Sequence, residues 1–192
     1  MGSQRLGFYF ERKFANLEIR KELCMPTEKV LLEAALVFLA RSKKVLLAKK
    51  TRHIGEGRWN GYGGGLEPGE TLVSCAIRET QQECGVIIRP QDLEKVAEVT
   101  FHNTKTAGEK FSCLVHVFVT KNWHGEPKES EEMASPTWFA FDRLPVAEMM
   151  PADTHWVPLV LAGKKIIGRA HYGPFQRELL EPVSLKEVDS FD

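Results

Sequence analysis

From Gly64 to Val86 the chain reads GGLEPGETLVSCAIRETQQECGV, a glycine-rich turn running into a segment with helical periodicity. At roughly 100° per residue on a helix, Glu79 and Glu83 lie about 40° apart and one turn along, so their carboxylates converge. Converging carboxylates suit a hard divalent cation; magnesium, which keeps several waters and bridges to substrate phosphates, fits best, with manganese as the alternative. Val73, Ala76, Ile77, Thr80 and Cys84 form the neighbouring stripe, which predicts a helix that packs into a core while its acidic edge faces a cleft. Gly85 is placed to end it, because glycine tolerates the left-handed conformation after the last turn. The preceding loop, Gly61 to Gly69, holds five glycines and a proline in nine residues. Such a composition lets a backbone turn tightly and approach a phosphate closely.

The spacing itself is specific. Gly64, five residues to Glu70, seven more to Arg78-Glu79, then Glu83, Gly85 and Val86 resembles the Nudix box, the signature of hydrolases acting on a nucleoside diphosphate linked to another group. Two positions depart from it. Thr80 stands where the family has an aliphatic residue and is expected to pack by its methyl. Gln82 stands where the family has the first of its paired glutamates, and an amide offers no charge to a cation, so one metal site is expected to be weakened or lost. The flanks narrow the resemblance: Gly57-Arg58-Trp59-Asn60-Gly61-Tyr62-Gly63-Gly64, Glu131-Glu132-Met133 through Trp138-Phe139, Met150-Pro151-Ala152-Asp153 with Trp156 and Pro158, and Leu185 to Asp189 are similar to the oxidised-purine nucleoside triphosphatases of MutT type.

That resemblance implies an α+β fold, the Nudix α/β/α sandwich, with a central mixed sheet, the box helix on one side and a C-terminal helix on the other. It implies magnesium-dependent hydrolysis of oxidised purine nucleoside triphosphates such as 8-oxo-dGTP to the monophosphate and pyrophosphate, a nucleotide-pool function that limits DNA damage. Glu79, Glu83 and Glu132 would be the catalytic carboxylates and, with Gly64, the metal site; Glu132 would act as ligand or general base. Glu70 and Arg78 would brace the loop; apart from the resemblance, Lys50, at a strand end facing the glycine loop, is placed to touch a phosphate. Asn60 would meet the purine, its amide able both to donate and to accept, beside Phe101 and Trp156. Where the subfamily has a stacking tryptophan and two adjacent aspartates, this chain has Met150, Ala152 and Asp153. Methionine offers a polarizable surface without a flat platform, so the base preference does not carry over. Asp153 reads equally well as the N-cap of a helix starting at Thr154. Three functions therefore stand open: the oxidised-purine triphosphatase, a Nudix hydrolase of another purine triphosphate or dinucleoside polyphosphate, and a nucleotide-binding module without turnover.

Composition narrows the partners. Lys plus Arg equals Asp plus Glu at 26 each, which lacks the basic field of nucleic-acid binders and points to a free nucleotide, not a polymer. No apolar run approaches the roughly 20 residues of a membrane span, and a soluble cytoplasmic protein, monomer or small homo-oligomer, is expected. The four cysteines, Cys24, Cys75, Cys84 and Cys113, show no paired spacing and read as reduced, buried thiols. With 192 residues, 43% of them hydrophobic, one core is expected, a Nudix hydrolase domain over residues 30 to 192. Residues 1 to 29 read as an added element packed on it, and Glu11, Glu18 and Glu22 argue against a transit peptide. Strands are predicted from Val30 to Ala40, Val45 to Ala48, Lys95 to Phe101, Phe111 to Thr120 and Thr137 to Phe141, and a helix from Trp156 to Ala162. In the fourth of these strands Phe111, Cys113, Val115, Val117 and Val119 share one face and Leu114 and Phe118 the other, the pattern of a central strand covered on both sides. Trp59 and Trp138 read as core, and the charged run from Glu126 to Glu132 as a solvated loop except for its last member.

Overall fold

The computed structural model describes residues 32–191, so the expectations for residues 1 to 29, Cys24 among them, lie outside the described residues. β1 (Glu33–Arg41) and β2 (Lys44–Lys50) form a hairpin whose two turn residues, Ser42 and Lys43, both take positive φ, at 52° and 58°, as a primed two-residue turn demands. There follow β3 (Trp59–Asn60), β4 (Tyr62–Gly65), α1 (Leu72–Cys84), β5 (Leu93–Thr104), β6 (Lys110–Thr120), β7 (Met133–Ala140), α2 (Asp153–Leu161), β8 (Lys165–Tyr172) and β9 (Ser184–Val188). All nine strands join one sheet in the order β3-β2-β1-β6-β5-β8-β9, with β4 on β1 and β7 on β2. β1 runs parallel to β6 and β5 parallel to β8, while the other pairs are antiparallel.

The sheet is covered on both faces, as the continuous apolar runs of β1 and β6 require. Ala35, Val37 and Leu39 of β1 turn to α1 and meet Cys75, Ala76 and Cys84, with Phe118 of β6. Phe38 and Ala40 turn the other way, to Trp156, Val157 and Val160 of α2, with Val117 and Val119 of β6. The predicted division of β6 into two faces is therefore observed, and so is the sandwich. Among the described residues no helix is long and apolar enough to cross a membrane. Cys75, Cys84 and Cys113 are buried free thiols.

Several expectations need correction. The glycine segment is not simply a loop: Tyr62 to Gly65 pair with Val37 to Ala34 of β1. β2 pairs with β1 only from Leu39 to Arg41, which leaves the first half of β1 with open backbone groups, and β4 fills them. Of the five glycines between Gly61 and Gly69, Gly69 is the one with left-handed backbone; Gly63 and Gly64 are there because of what lies against them. β7 begins at Met133, earlier than predicted, because Met133 and Ala134 still find partners in Lys50 and Lys49 beyond an irregularity in β2. Trp138 is 37% exposed and stacks on Trp123 at a ring distance of 6.1 Å, outside the core where it was expected.

Candidate active site

α1 starts with a cap. Thr71 accepts from the Ser74 N–H at 3.1 Å and Ser74 Oγ accepts from the Thr71 N–H at 3.2 Å, a reciprocal pair that satisfies two donors of the first turn. Gly85 closes the helix with φ 77°. Of the predicted buried stripe, Ala76, Thr80 and Cys84 are buried, joined by Cys75. Thr80 also returns its hydroxyl to the Ala76 carbonyl at 2.7 Å, which is how a hydroxyl is tolerated in that stripe.

Arg78 organises the acidic edge. Its Nε and Nη2 donate to the two oxygens of Glu70, both at 2.8 Å, its Nη1 to Glu79 at 2.8 Å, and its Nη2 also to the Gly65 carbonyl at 3.2 Å. The bidentate hydrogen bond holds the Glu70 carboxyl down at about 2. Gln82 is exposed, and its Oε1 accepts from Arg78 Nη1 at 3.3 Å, so the amide is engaged with the guanidinium. The next residue, Glu83, one turn beyond Glu79, is 5% exposed and accepts the Gly63 N–H at 2.7 Å. Burial pushes its carboxyl up to about 7; Lys50 and the Gly63 N–H oppose the rise, and the like charges of Glu79 and Glu132 add to it.

Glu132 comes from the other side, on the loop before β7. The Arg52 guanidinium donates to its carboxylate and holds its pKa below the usual range. The Thr51 N–H donates to the Glu132 carbonyl at 3.0 Å, tying the loop after β2 to the one that carries Glu132. Arg52 was not legible in the sequence, since nothing in its spacing marks it.

Glu79, Glu83, Gly64 and Glu132 border one cavity of about 330 Å³, and so do Lys50, Asn60, Phe101, Met150, Asp153 and Trp156. Residues from six elements and two loops thus meet at a single cleft. The placement of Gly64 is steric: a Cβ there would stand 2.4 Å from Glu79 Oε1. Among the described residues no three His, Cys, Asp or Glu side chains are gathered to hold a metal ion; Glu79 is paired with Arg78 and Glu132 with Arg52. The chemistry of the donors nevertheless fits a hard cation, since Glu83 is a buried carboxylate facing two like charges and a cation would relieve all three.

The part of the cleft formed by Asn60, Ala152 and Asp153 differs from expectation. Asp153 is not an N-cap: it is the first residue of α2, and its buried carboxylate accepts from Trp156 Nε1 at 3.1 Å. The indole that follows one turn later outcompetes the backbone donors for it. Ala152 is fully buried behind the wall, its N–H donating to the Tyr172 hydroxyl at 2.8 Å. Asn60 accepts the Gly61 N–H at 2.8 Å through Oδ1, which leaves Nδ2 as its donor.

Burial raises the Asp153 carboxyl from 3.8 to about 7. A folded pKa above the unfolded one means that the folded state holds the proton more tightly, so stability is greatest below about pH 4, falls as the pH rises towards 7, and levels off above. Asp153→Asn keeps the acceptor for Trp156 without the charge. The variant is expected to flatten that fall, so that the wild type loses several degrees of Tm between pH 4 and 8 that the variant retains. Parallel slopes for the two proteins in thermal unfolding would exclude the assignment.

A mixed sheet between two helices, with a glycine strand feeding a carboxylate-bearing helix over a nucleotide-sized cleft, defines a hydrolase of the Nudix class. Residues 30–160 match the family model described as the NUDIX domain, and the chain belongs to that family. It is similar to the oxidized purine nucleoside triphosphate hydrolase of Mus musculus, 40% identical over 156 residues that make up 81% of this chain and 95% of that one. It is also similar to the protein of the same description from Danio rerio, 37% identical over 80% of this chain and 94% of that one. Among solved structures, a MutT mutator protein from Bacillus halodurans superposes with a TM-score of 0.68 at 25% identity, covering 81% of this chain and 97% of that one.

Proposed function

We propose that the chain hydrolyses oxidised purine nucleoside triphosphates of the 8-oxo-dGTP type to the monophosphate and pyrophosphate, with magnesium as the working cation. The observation that carries this is that Glu79, Glu83 and Glu132 share one cavity of about 330 Å³ with Asn60, Asp153 and Trp156, so that one ligand can meet both groups. The animal relatives named above support the substrate class. Glu79, Glu83 and Glu132, with Gly64 giving the space, would hold the cation, which when bound neutralises the polyphosphate and polarises the phosphorus under attack. Glu132 orients the attacking water. Lys50 directs its ammonium to the polyphosphate, while Asn60 Nδ2 donates to the purine edge. Phe101, Met150 and Trp156 enclose the ring. Glu70 and Arg78 act through position, by fixing Glu79. The ligand is a free nucleotide, and the protein works as a monomer or small homo-oligomer in the cytoplasm, with residues 30 to 192 as the hydrolase domain and residues 1 to 29 as an addition to it.

Met150 in place of a flat ring favours a second substrate, another purine triphosphate or a dinucleoside polyphosphate. A panel of ordinary and oxidised nucleotides with magnesium, scored by pyrophosphate release, separates the two. Preference for 8-oxo-dGTP over dGTP by about tenfold or more is expected. Activity confined to other panel members would move the substrate, and binding without turnover of any would leave a nucleotide-binding module.

A further inference from the structure

Two carboxamides that the box does not account for face each other in the cavity wall. Asn103 lies near the end of β5 and is 4% exposed; Gln176 lies in the turn after β8, and both border the cleft. Gln176 Nε2 donates to Asn103 Oδ1 at 2.8 Å, and Asn103 Nδ2 donates to the Phe101 carbonyl at 3.0 Å. This relay has only one direction. A backbone carbonyl can only accept, so Asn103 must turn Nδ2 to it and Oδ1 to Gln176; Gln176 must then turn Nε2 to Asn103, which leaves its Oε1 as an oriented acceptor. An amide that would otherwise flip freely is fixed by a group that cannot.

The backbone is committed to the same end. Phe175 and Gln176 are consecutive non-glycine residues with φ of 57° and 53°, a left-handed pair that persists only where its surroundings impose it, and such positions gather at ligand sites. Around the two amides the cleft is bordered by Phe101, Phe111, Cys113 and Tyr172. An acceptor set in so apolar a wall discriminates sharply between a donor and another lone pair, because either polar group left unmatched there is costly.

We propose, resting on the purine-nucleotide function above, that Gln176 Oε1 is a specificity-determining acceptor for the N7–H that oxidation at C8 creates in a purine. An ordinary purine presents a lone pair at N7, so the same oxygen repels it. Its 8-oxo form presents a hydrogen. Asn103 is the positioning residue, acting through Gln176.

Calorimetry on the full chain with nucleoside monophosphates, which as products undergo no turnover, tests this with 8-oxo-dGMP, dGMP and 7-methyl-8-oxo-dGMP, the last keeping the C8 oxygen without the N7–H. The wild type is expected to bind 8-oxo-dGMP about tenfold more tightly than either of the others. Gln176→Ala, on a half-buried turn, should bring the three within about twofold of one another, by weakening 8-oxo-dGMP and by relieving the repulsion of the other two. Asn103→Leu, with Gln176 present but free to rotate, should lose part of the preference. An undiminished preference in Gln176→Ala, or equal binding of the 7-methyl analogue by the wild type, would overturn the assignment. Turnover is measured separately: if the triphosphate panel fails while the monophosphate preference stands, the hydrolase function falls and the acceptor survives; the converse removes the acceptor alone.

Discussion

Glu83→Gln is expected to lower kcat on the order of 10³-fold while the protein stays folded and its Tm is unchanged or higher. The two halves of that result have different physical sources. Turnover falls because Glu83 is the carboxylate at the centre of the acidic group, near Glu79 and Glu132, and an amide of the same shape supplies no charge to a cation there. Stability does not fall because Gln has an oxygen to accept the Gly63 N–H that Glu83 accepts at 2.7 Å, and because burial already pushes the carboxyl up to about 7. A neutral side chain removes that penalty. Thermal unfolding beside steady-state kinetics checks both. A Tm drop of many degrees along with lost activity would make Glu83 a structural residue, and unchanged kcat would remove it from the site.

Gly63→Ala should be the most damaging glycine-to-alanine change among the described residues, with a loss of roughly 3 kcal/mol or more of stability and a Tm lower by about 10 °C. A Cβ at Gly63 would stand 2.1 Å from the Ala35 carbonyl oxygen and 2.8 Å from Leu36 Cα. Both are backbone atoms of β1, which is itself fixed between β2, β4 and β6, so nothing there can rotate aside. One residue on, the outcome reverses. The Cβ of Gly64→Ala would meet the end of the Glu79 side chain, which is flexible, so the fold is kept and the carboxylate is displaced from the cleft. Gly63→Ala should therefore show in denaturant and thermal melts, and Gly64→Ala mainly in kcat. Equal melting temperatures for Gly63→Ala and the wild type would show that β4 can leave β1 without cost.

How far these residues were legible depends on how local their reasons are. The box helix, its stop at Gly85 and the pairing of Glu79 with Glu83 across one turn follow from helical spacing within a single segment, and so does the two-faced pattern of β6. The Glu70 to Arg78 contact spans eight positions but stays inside the same turn and helix. Asp153 was ambiguous because its competing partners, a backbone N–H and the Trp156 indole, lie at the same separation along the chain. Only burial separates them. The strand pairing of the glycine segment was missed because glycine carries no side chain whose alternation could announce a strand; the vacancy on β1 that it fills exists only once β2 is in place.

By itself the sequence determined the helix that carries the acids and the box spacing that marks the family, since both rest on periodicity and spacing that a linear reading preserves; the sandwich came with the resemblance those motifs carry. Tertiary structure alone decided which side chains share the cleft. The parallel pairing of β1 with β6 and of β5 with β8 brings Asn103 and Gln176 to the cleft that the box helix also borders, and two loops joined by Thr51 and Glu132 bring Arg52 to its carboxylate. Those neighbours are separated by 73 and 80 residues. Contacts at such distances are fixed by strand order and register, which no local propensity encodes.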